Sequence, residues 1–130
     1  MVKILVIDDN GGVREATRLV LEGAGHDVIQ AASGLRIEET IDQQKPDLVL
    51  TDMLMPDRDG VETVLALRRR YPRLRIIAMS GGGPRGDLDL GVARKLGVSA
   101  TLSKPYDPDQ FIALVAAMLA GPEPQPRPPG

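Results

Sequence analysis

Three short stretches of the chain are apolar at every position: Ile4-Leu5-Val6-Ile7, Leu48-Val49-Leu50 and Ile76-Ile77-Ala78-Met79. A strand with one face in water alternates apolar and polar residues, whereas a strand covered on both faces has no polar side to show. Runs this short and this uniform predict a parallel sheet held between two layers of helix. The segments between them supply the helices. Asn10 can cap a helix carrying Val13, Ala16, Val20 and Ala24, with Gly23 and Gly25 bracketing its end. Val28 to Ala31 reads as a second strand, and Ser33 as the cap of a weaker helix carrying Leu35, Ile37 and Ile41.

The third strand is Asp47 to Asp52, and Asp59-Gly60-Val61-Glu62 opens a helix with Val61, Val64, Leu65 and Arg68 on one face. Arg75 to Met79 is the fourth strand, followed by Ser80, a glycine-rich loop over 81–86 and a helix over about Leu88 to Leu96. Ser99 to Ser103 is the fifth strand. Asp107-Pro108-Asp109-Gln110 then starts a helix with Phe111, Leu114, Val115, Met118 and Leu119 as its buried stripe. Five alternations predict an α/β domain, a doubly wound five-stranded parallel sheet with five helices and right-handed crossovers.

Composition bounds the function. A chain of 130 residues is one domain by size, and a net charge of -2 gives no reason to expect nucleic acid or an anionic membrane as partner. Cysteine is absent, which excludes disulfides, thiol catalysis and cysteine-ligated zinc. No apolar stretch approaches a membrane span, and no signal peptide precedes the first strand, so the expected location is cytoplasmic. Residues 1–120 read as the domain. Residues 121–130, with five prolines, read as a disordered tail or the start of a linker.

Polar groups stand at corresponding places, each directly after a strand: Asp8 and Asp9, Asp52, Ser80 and Lys104. Parallel strands end at the same edge, so residues distant in sequence converge there. One acid after a strand is ordinarily a helix cap, and one lysine a solvated charge. That explanation covers each alone and not all of them together. Three close carboxylates repel one another and call for a cation, and oxygen-only ligands suit a hard ion such as Mg²⁺. A carboxylate can also attack phosphorus, with an ammonium and a hydroxyl to neutralise the phosphoryl oxygens.

The run Ile4-Leu5-Val6-Ile7-Asp8-Asp9, the segment Asp52…Met55-Pro56…Gly60, Ser80, and Lys104-Pro105 together resemble the receiver domain of two-component response regulators, over about residues 2 to 120. The resemblance implies a flavodoxin-like fold with strand order 2-1-3-4-5. It implies that Asp52 accepts a phosphoryl group from the phosphohistidine of a histidine kinase or phosphotransfer protein. It also implies an Mg²⁺ site made by Asp8, Asp9, Asp52 and the Leu54 backbone carbonyl, Lys104 paired with the phosphoryl group, Ser80 swinging to it on activation, and a cis Lys104–Pro105 bond. The output partner is left open: no output module is read after the last helix, so the chain is either a stand-alone regulator or a receiver from a longer protein.

Two rival readings use the same residues less well. A receiver-fold binding module working without phosphorylation would not need Asp8, Asp9, Asp52, Ser80 and Lys104 all present. A haloacid-dehalogenase-type phosphohydrolase has its nucleophile in an alternating Asp-x-Asp after the first strand, whereas here the acids are adjacent. Some positions depart from the receiver pattern. Thr101 stands where many receivers carry a switching aromatic, and Tyr106 reads as packing beside the last helix. The cluster Arg68-Arg69-Arg70 at a helix C-terminus reads as a solvated, dipole-favoured face, and the single histidine, His26, as a surface turn residue.

Leu54 and Gly82 occupy positions that set phosphoryl lifetime in the family, and neither side chain can hydrogen-bond an attacking water. The expectation from the resemblance is slow self-hydrolysis. Decay of the phosphorylated protein in Mg²⁺ measures it, and a half-life of seconds contradicts it.

Overall fold

The computed structural model describes residues 2–53, 60–81 and 84–122. Strand and helix alternate along the chain: β1 (Lys3–Ile7), α1 (Gly11–Gly23), β2 (Asp27–Ala31), α2 (Ile37–Gln44), β3 (Leu48–Asp52), α3 (Gly60–Arg70), β4 (Arg75–Gly81), α4 (Pro84–Lys95), β5 (Ala100–Lys104) and α5 (Pro108–Ala120). The strands form one sheet in the order β2-β1-β3-β4-β5, and every pairing is parallel. This is the order that the resemblance implied.

The uniformly apolar runs are explained by period-two alternation across a sheet with two covered faces. Leu5, Ile7, Val49, Ile76 and Ala78 face a core shared with α2, α3 and α4, through Ile37, Ile41, Val64, Leu67, Leu90 and Ala93. Their neighbours Ile4, Val6, Leu48, Leu50, Ile77 and Met79 face the opposite core, against Leu21 of α1 and Phe111 and Val115 of α5. Burying one such side chain is worth about 1.5–3 kcal/mol. The two layers, rather than helix propensity, hold the sheet.

Several boundaries differ from the sequence reading. Ser33 does not cap α2; its hydroxyl accepts from the Leu35 amide at 3.0 Å in a local turn, and the helix begins after Arg36 in the left-handed region. Leu35 is left exposed. The buried positions of α1 are Thr17 and Leu21, while Ala16 and Ala24 are exposed. In α3 the buried face is Gly60, Thr63, Val64 and Leu67, one step round the helix from the expected one. α4 starts at Pro84, four residues before the expected Leu88, because proline at a first helical turn loses no hydrogen bond. The caps Asn10 and Asp107 are as read, accepting from Val13 N and Gln110 N. The Asp59 cap, and the tail beyond Pro122, lie outside the described residues.

Arg68 is also not solvated. Its Nη1 donates to the carbonyls of Pro72 at 3.1 Å and Leu74 at 2.7 Å, closing the chain after α3. Beside it, the Tyr71 hydroxyl reaches Asp42 Oδ1 at 2.6 Å and the Glu38 carbonyl at 3.1 Å, stapling α3 to α2. Burial, followed by the Asp42 hydrogen bond, pushes the Tyr71 phenol up to about 12. A phenol raised above its ordinary value favours the folded state below pH of about 10, and that contribution fades as pH rises to the folded value. Absorbance titration of the two tyrosines is expected to show Tyr71 ionising near pH 12, a step removed by Tyr71→Phe. Ionisation of Tyr71 at the ordinary tyrosine value contradicts the staple.

Candidate functional site

The C-terminal ends of β1, β3 and β5 carry Asp8, Asp52 and Lys104. Asp8 follows β1 directly, while Asp52 and Lys104 are the last residues of their strands rather than the first beyond them. Alternation decides which face each side chain takes. Counting on from Ile4 and Val6, from Leu48 and Leu50, and from Ala100 and Leu102, which all belong to the α1/α5 side, Asp8, Asp52 and Lys104 fall on that same side.

Asp8 is buried, at 1% exposure, and each of its carboxylate oxygens is engaged. Oδ1 accepts from the Asn10 amide at 3.0 Å, and Oδ2 accepts from Lys104 Nζ at 3.0 Å. Its backbone carbonyl accepts from Arg14 Nη1 at 2.7 Å. Lys104 Nζ also lies 3.6 Å from Asp52 Oδ2. Burial alone pulls the Lys104 amine down, and it is the largest influence. The Asp8 hydrogen bond and the charges of Asp52 and Asp8 together outweigh it, so the net shift is upward. Asp9 is exposed. Oxygen atoms of Asp8, Asp9 and Asp52 all lie within 4.8 Å of one another, a donor set of hard oxygens with two buried members. That arrangement fits a small divalent cation such as Mg²⁺. The Lys104–Pro105 peptide is cis.

Ser80 stands apart from this group. It lies within β4, paired with Ser103, and it follows Ile76 and Ala78 onto the α2–α4 side. Its buried hydroxyl donates to its neighbour, the Gly81 carbonyl, at 3.3 Å. Leu54, expected to lend its carbonyl to the metal, lies outside the described residues, as does Gly82.

Two glycines tie the helices to the site, and the sequence reading gave neither this part. A Cβ on Gly60 would overlap Met53 Cα and come within 2.8 Å of the Asp52 carbonyl, so α3 begins directly against the backbone that carries Asp52. The Gly60 amide donates to the Met53 carbonyl at 3.0 Å. A Cβ on Gly86 would overlap the Gly81 carbonyl oxygen and stand 2.9 Å from Ser80 Oγ, so α4 rests on the Ser80-Gly81 backbone. In the sequence Gly86 reads as part of a loop, where a glycine needs no such reason. The early start of α4 at Pro84 is the signal that would have found it.

Residues 4–116 match the family model described as the response regulator receiver domain. The chain belongs to that family. Sporulation initiation phosphotransferase F of Bacillus subtilis is 34% identical over 110 residues, covering 84% of this chain and 86% of that protein. The alkaline phosphatase synthesis transcriptional regulatory protein PhoP of the same organism is 32% identical over 117 residues, 90% of this chain but only 48% of that protein. Among solved structures, a response regulator receiver domain protein from Clostridium thermocellum superposes with a TM-score of 0.82 at 28% identity, covering 92% of this chain and 94% of that one. This receiver domain is thus nearly coextensive with some relatives and spans half or less of others.

Substitutions at two glycines of α4 separate close approach from mere presence in a helix. Gly91 has nothing within 4 Å of a built Cβ, so Gly91→Ala is expected to stabilise by about 1 kcal/mol. Gly86→Ala is expected to destabilise by about 1–3 kcal/mol through overpacking. Chemical denaturation measures both, and equal effects contradict the assigned contact.

Proposed function

We propose that Asp52 is the phosphoacceptor of this receiver domain and takes a phosphoryl group from a phosphohistidine. The observation that carries the reading is the placement of its carboxylate: nearly buried at the sheet edge, 3.6 Å from the Lys104 ammonium and beside Asp8 and Asp9. An Asp52 oxygen attacks phosphorus, an O–P bond forms and the donor's N–P bond breaks. The imidazole nitrogen leaves with the electron pair of that bond and takes its proton from water. Such transfer depends on in-line placement and on neutralising the equatorial oxygens, not on strong acid–base help.

The residues divide that work. Lys104 supplies a fixed positive charge to a phosphoryl oxygen, and Asp8 holds Lys104 in place. Asp8, Asp9, Asp52 and the Leu54 carbonyl are the proposed ligands of Mg²⁺, which when bound screens the charge of both carboxylates and phosphoryl group. Ser80 is proposed to turn from the Gly81 carbonyl toward a phosphorylated Asp52. Because α4 rests on Ser80 and Gly81, that turn would be felt at the start of α4.

The domain is a signalling module, and its proposed chemistry is limited to its own phosphorylation and dephosphorylation. Its proposed partners are a histidine kinase or phosphotransfer protein upstream and a protein or domain that reads the change downstream. Among the described residues no helix is long and apolar enough to cross a membrane. The cytoplasm is the proposed location, where high-energy phosphoryl donors are made. Neither the phosphorylation-free module nor the dehalogenase-type hydrolase is favoured by the family match.

The test is intact mass after incubation with Mg²⁺ and acetyl phosphate. One phosphoryl adduct is expected on the wild type and none on Asp52→Asn. An adduct on both places the acceptor elsewhere, and no adduct on either removes the proposed chemistry.

A further inference from the structure

Lys104 must keep one ammonium between two carboxylates, yet little of β5 fixes it. β5 is an edge strand, none of its residues is fully buried, and a lysine side chain loses up to about 2 kcal/mol of rotamer freedom when ordered. The anchor lies two residues on. The Tyr106 ring packs on Phe111, with centroids 4.8 Å apart and planes at 45°. Its hydroxyl lies 3.2 Å from Thr17 Oγ1 on α1. Thr17 is buried, and its own hydroxyl proton is already given to the Val13 carbonyl at 2.8 Å. A threonine hydroxyl has one proton. Thr17 is therefore the acceptor here, and Tyr106 the donor.

This bond closes a circuit. Asp8 accepts from the Asn10 amide and from Lys104. Asn10 caps α1, which carries Thr17. Thr17 accepts from Tyr106, two residues from Lys104 along the chain. From these contacts we propose that Tyr106, acting through Thr17, is the positioning residue that holds Lys104 over Asp52 for phosphoryl transfer. The ring supplies burial, and the hydroxyl fixes the loop's register on α1. The packing role read from the sequence accounts for the ring and leaves the hydroxyl without a purpose. The proposal rests on the phosphoacceptor reading of Asp52 and adds a residue to it.

The test uses Tyr106→Phe, which keeps the ring, and Thr17→Val, which keeps the shape. Each is expected to slow phosphorylation by acetyl phosphate about three- to tenfold, and the double variant by no more than the larger single effect. Mg²⁺ affinity should stay within about twofold of wild type, since no metal-facing group is changed. In a Lys104→Ala background, Tyr106→Phe should change the rate no further. A second readout needs no phosphorylation: the NMR signal of the Lys104 side chain should move toward that of a free lysine in Tyr106→Phe. If the wild type takes no phosphoryl group but that signal moves, the positioning stands and the acceptor reading fails. A lowered thermal midpoint with an unchanged rate and an unchanged Lys104 signal overturns the positioning. So does an equal slowing with and without Lys104.

Discussion

The arrangement depends on like charges forced together. Asp8, Asp9 and Asp52 bring carboxylate oxygens within 4.8 Å of one another, with Asp8 and Asp52 largely out of water. Repulsion at that range is of the order of 1–3 kcal/mol per pair, with the lower end appropriate to exposed Asp9. Lys104 offsets part of it by bonding Asp8 and approaching Asp52. Among the described residues, three carboxylates still outnumber the Lys104 ammonium and the Arg14 guanidinium bonded to the Asp8 carbonyl. A site built this way favours a cation, and in the proposed function the bound cation lets it admit a phosphoryl group. Its chemical readiness and its local instability have the same origin.

The sheet brings these groups together by arithmetic. Parallel strands end at one edge, and alternation sends every second side chain to the same face. That rule puts Asp8, Asp52 and Lys104 on the α1/α5 side and Ser80 on the other. The separation gives Ser80 a different neighbour, the start of α4 at Gly86. In the proposed function, a turn of the Ser80 hydroxyl toward Asp52 would couple phosphoryl chemistry to the packing of α4. Tyr106 performs the complementary task on the α1/α5 side, joining the loop after Lys104 to the helix capped beside Asp8.

Much of this was legible in the chain. The uniformly apolar runs fixed a two-sided parallel sheet, because only burial on both faces removes the polar half of a strand's pattern. The acids and the lysine could be assigned to one edge by their places after those runs. The missing parts are those that depend on contact rather than pattern. Ser33 has the chemistry of a cap but satisfies a local turn instead. Arg68 has the charge of a solvated residue but meets the carbonyls that follow α3. Gly86 could be told from the other glycines of its stretch only by what a Cβ there would strike, and the Tyr106 hydroxyl only by where Thr17 lies, 89 residues away.

The most direct measurement is thermal unfolding of the wild type and of Asp9→Asn across a range of Mg²⁺ concentrations. A cation bound by the folded carboxylates alone must raise the midpoint with its concentration. The wild-type midpoint is expected to climb with Mg²⁺, and Asp9→Asn to start no lower and climb less. Midpoints that ignore Mg²⁺, or that respond equally in both proteins, would contradict a cation site made by these acids.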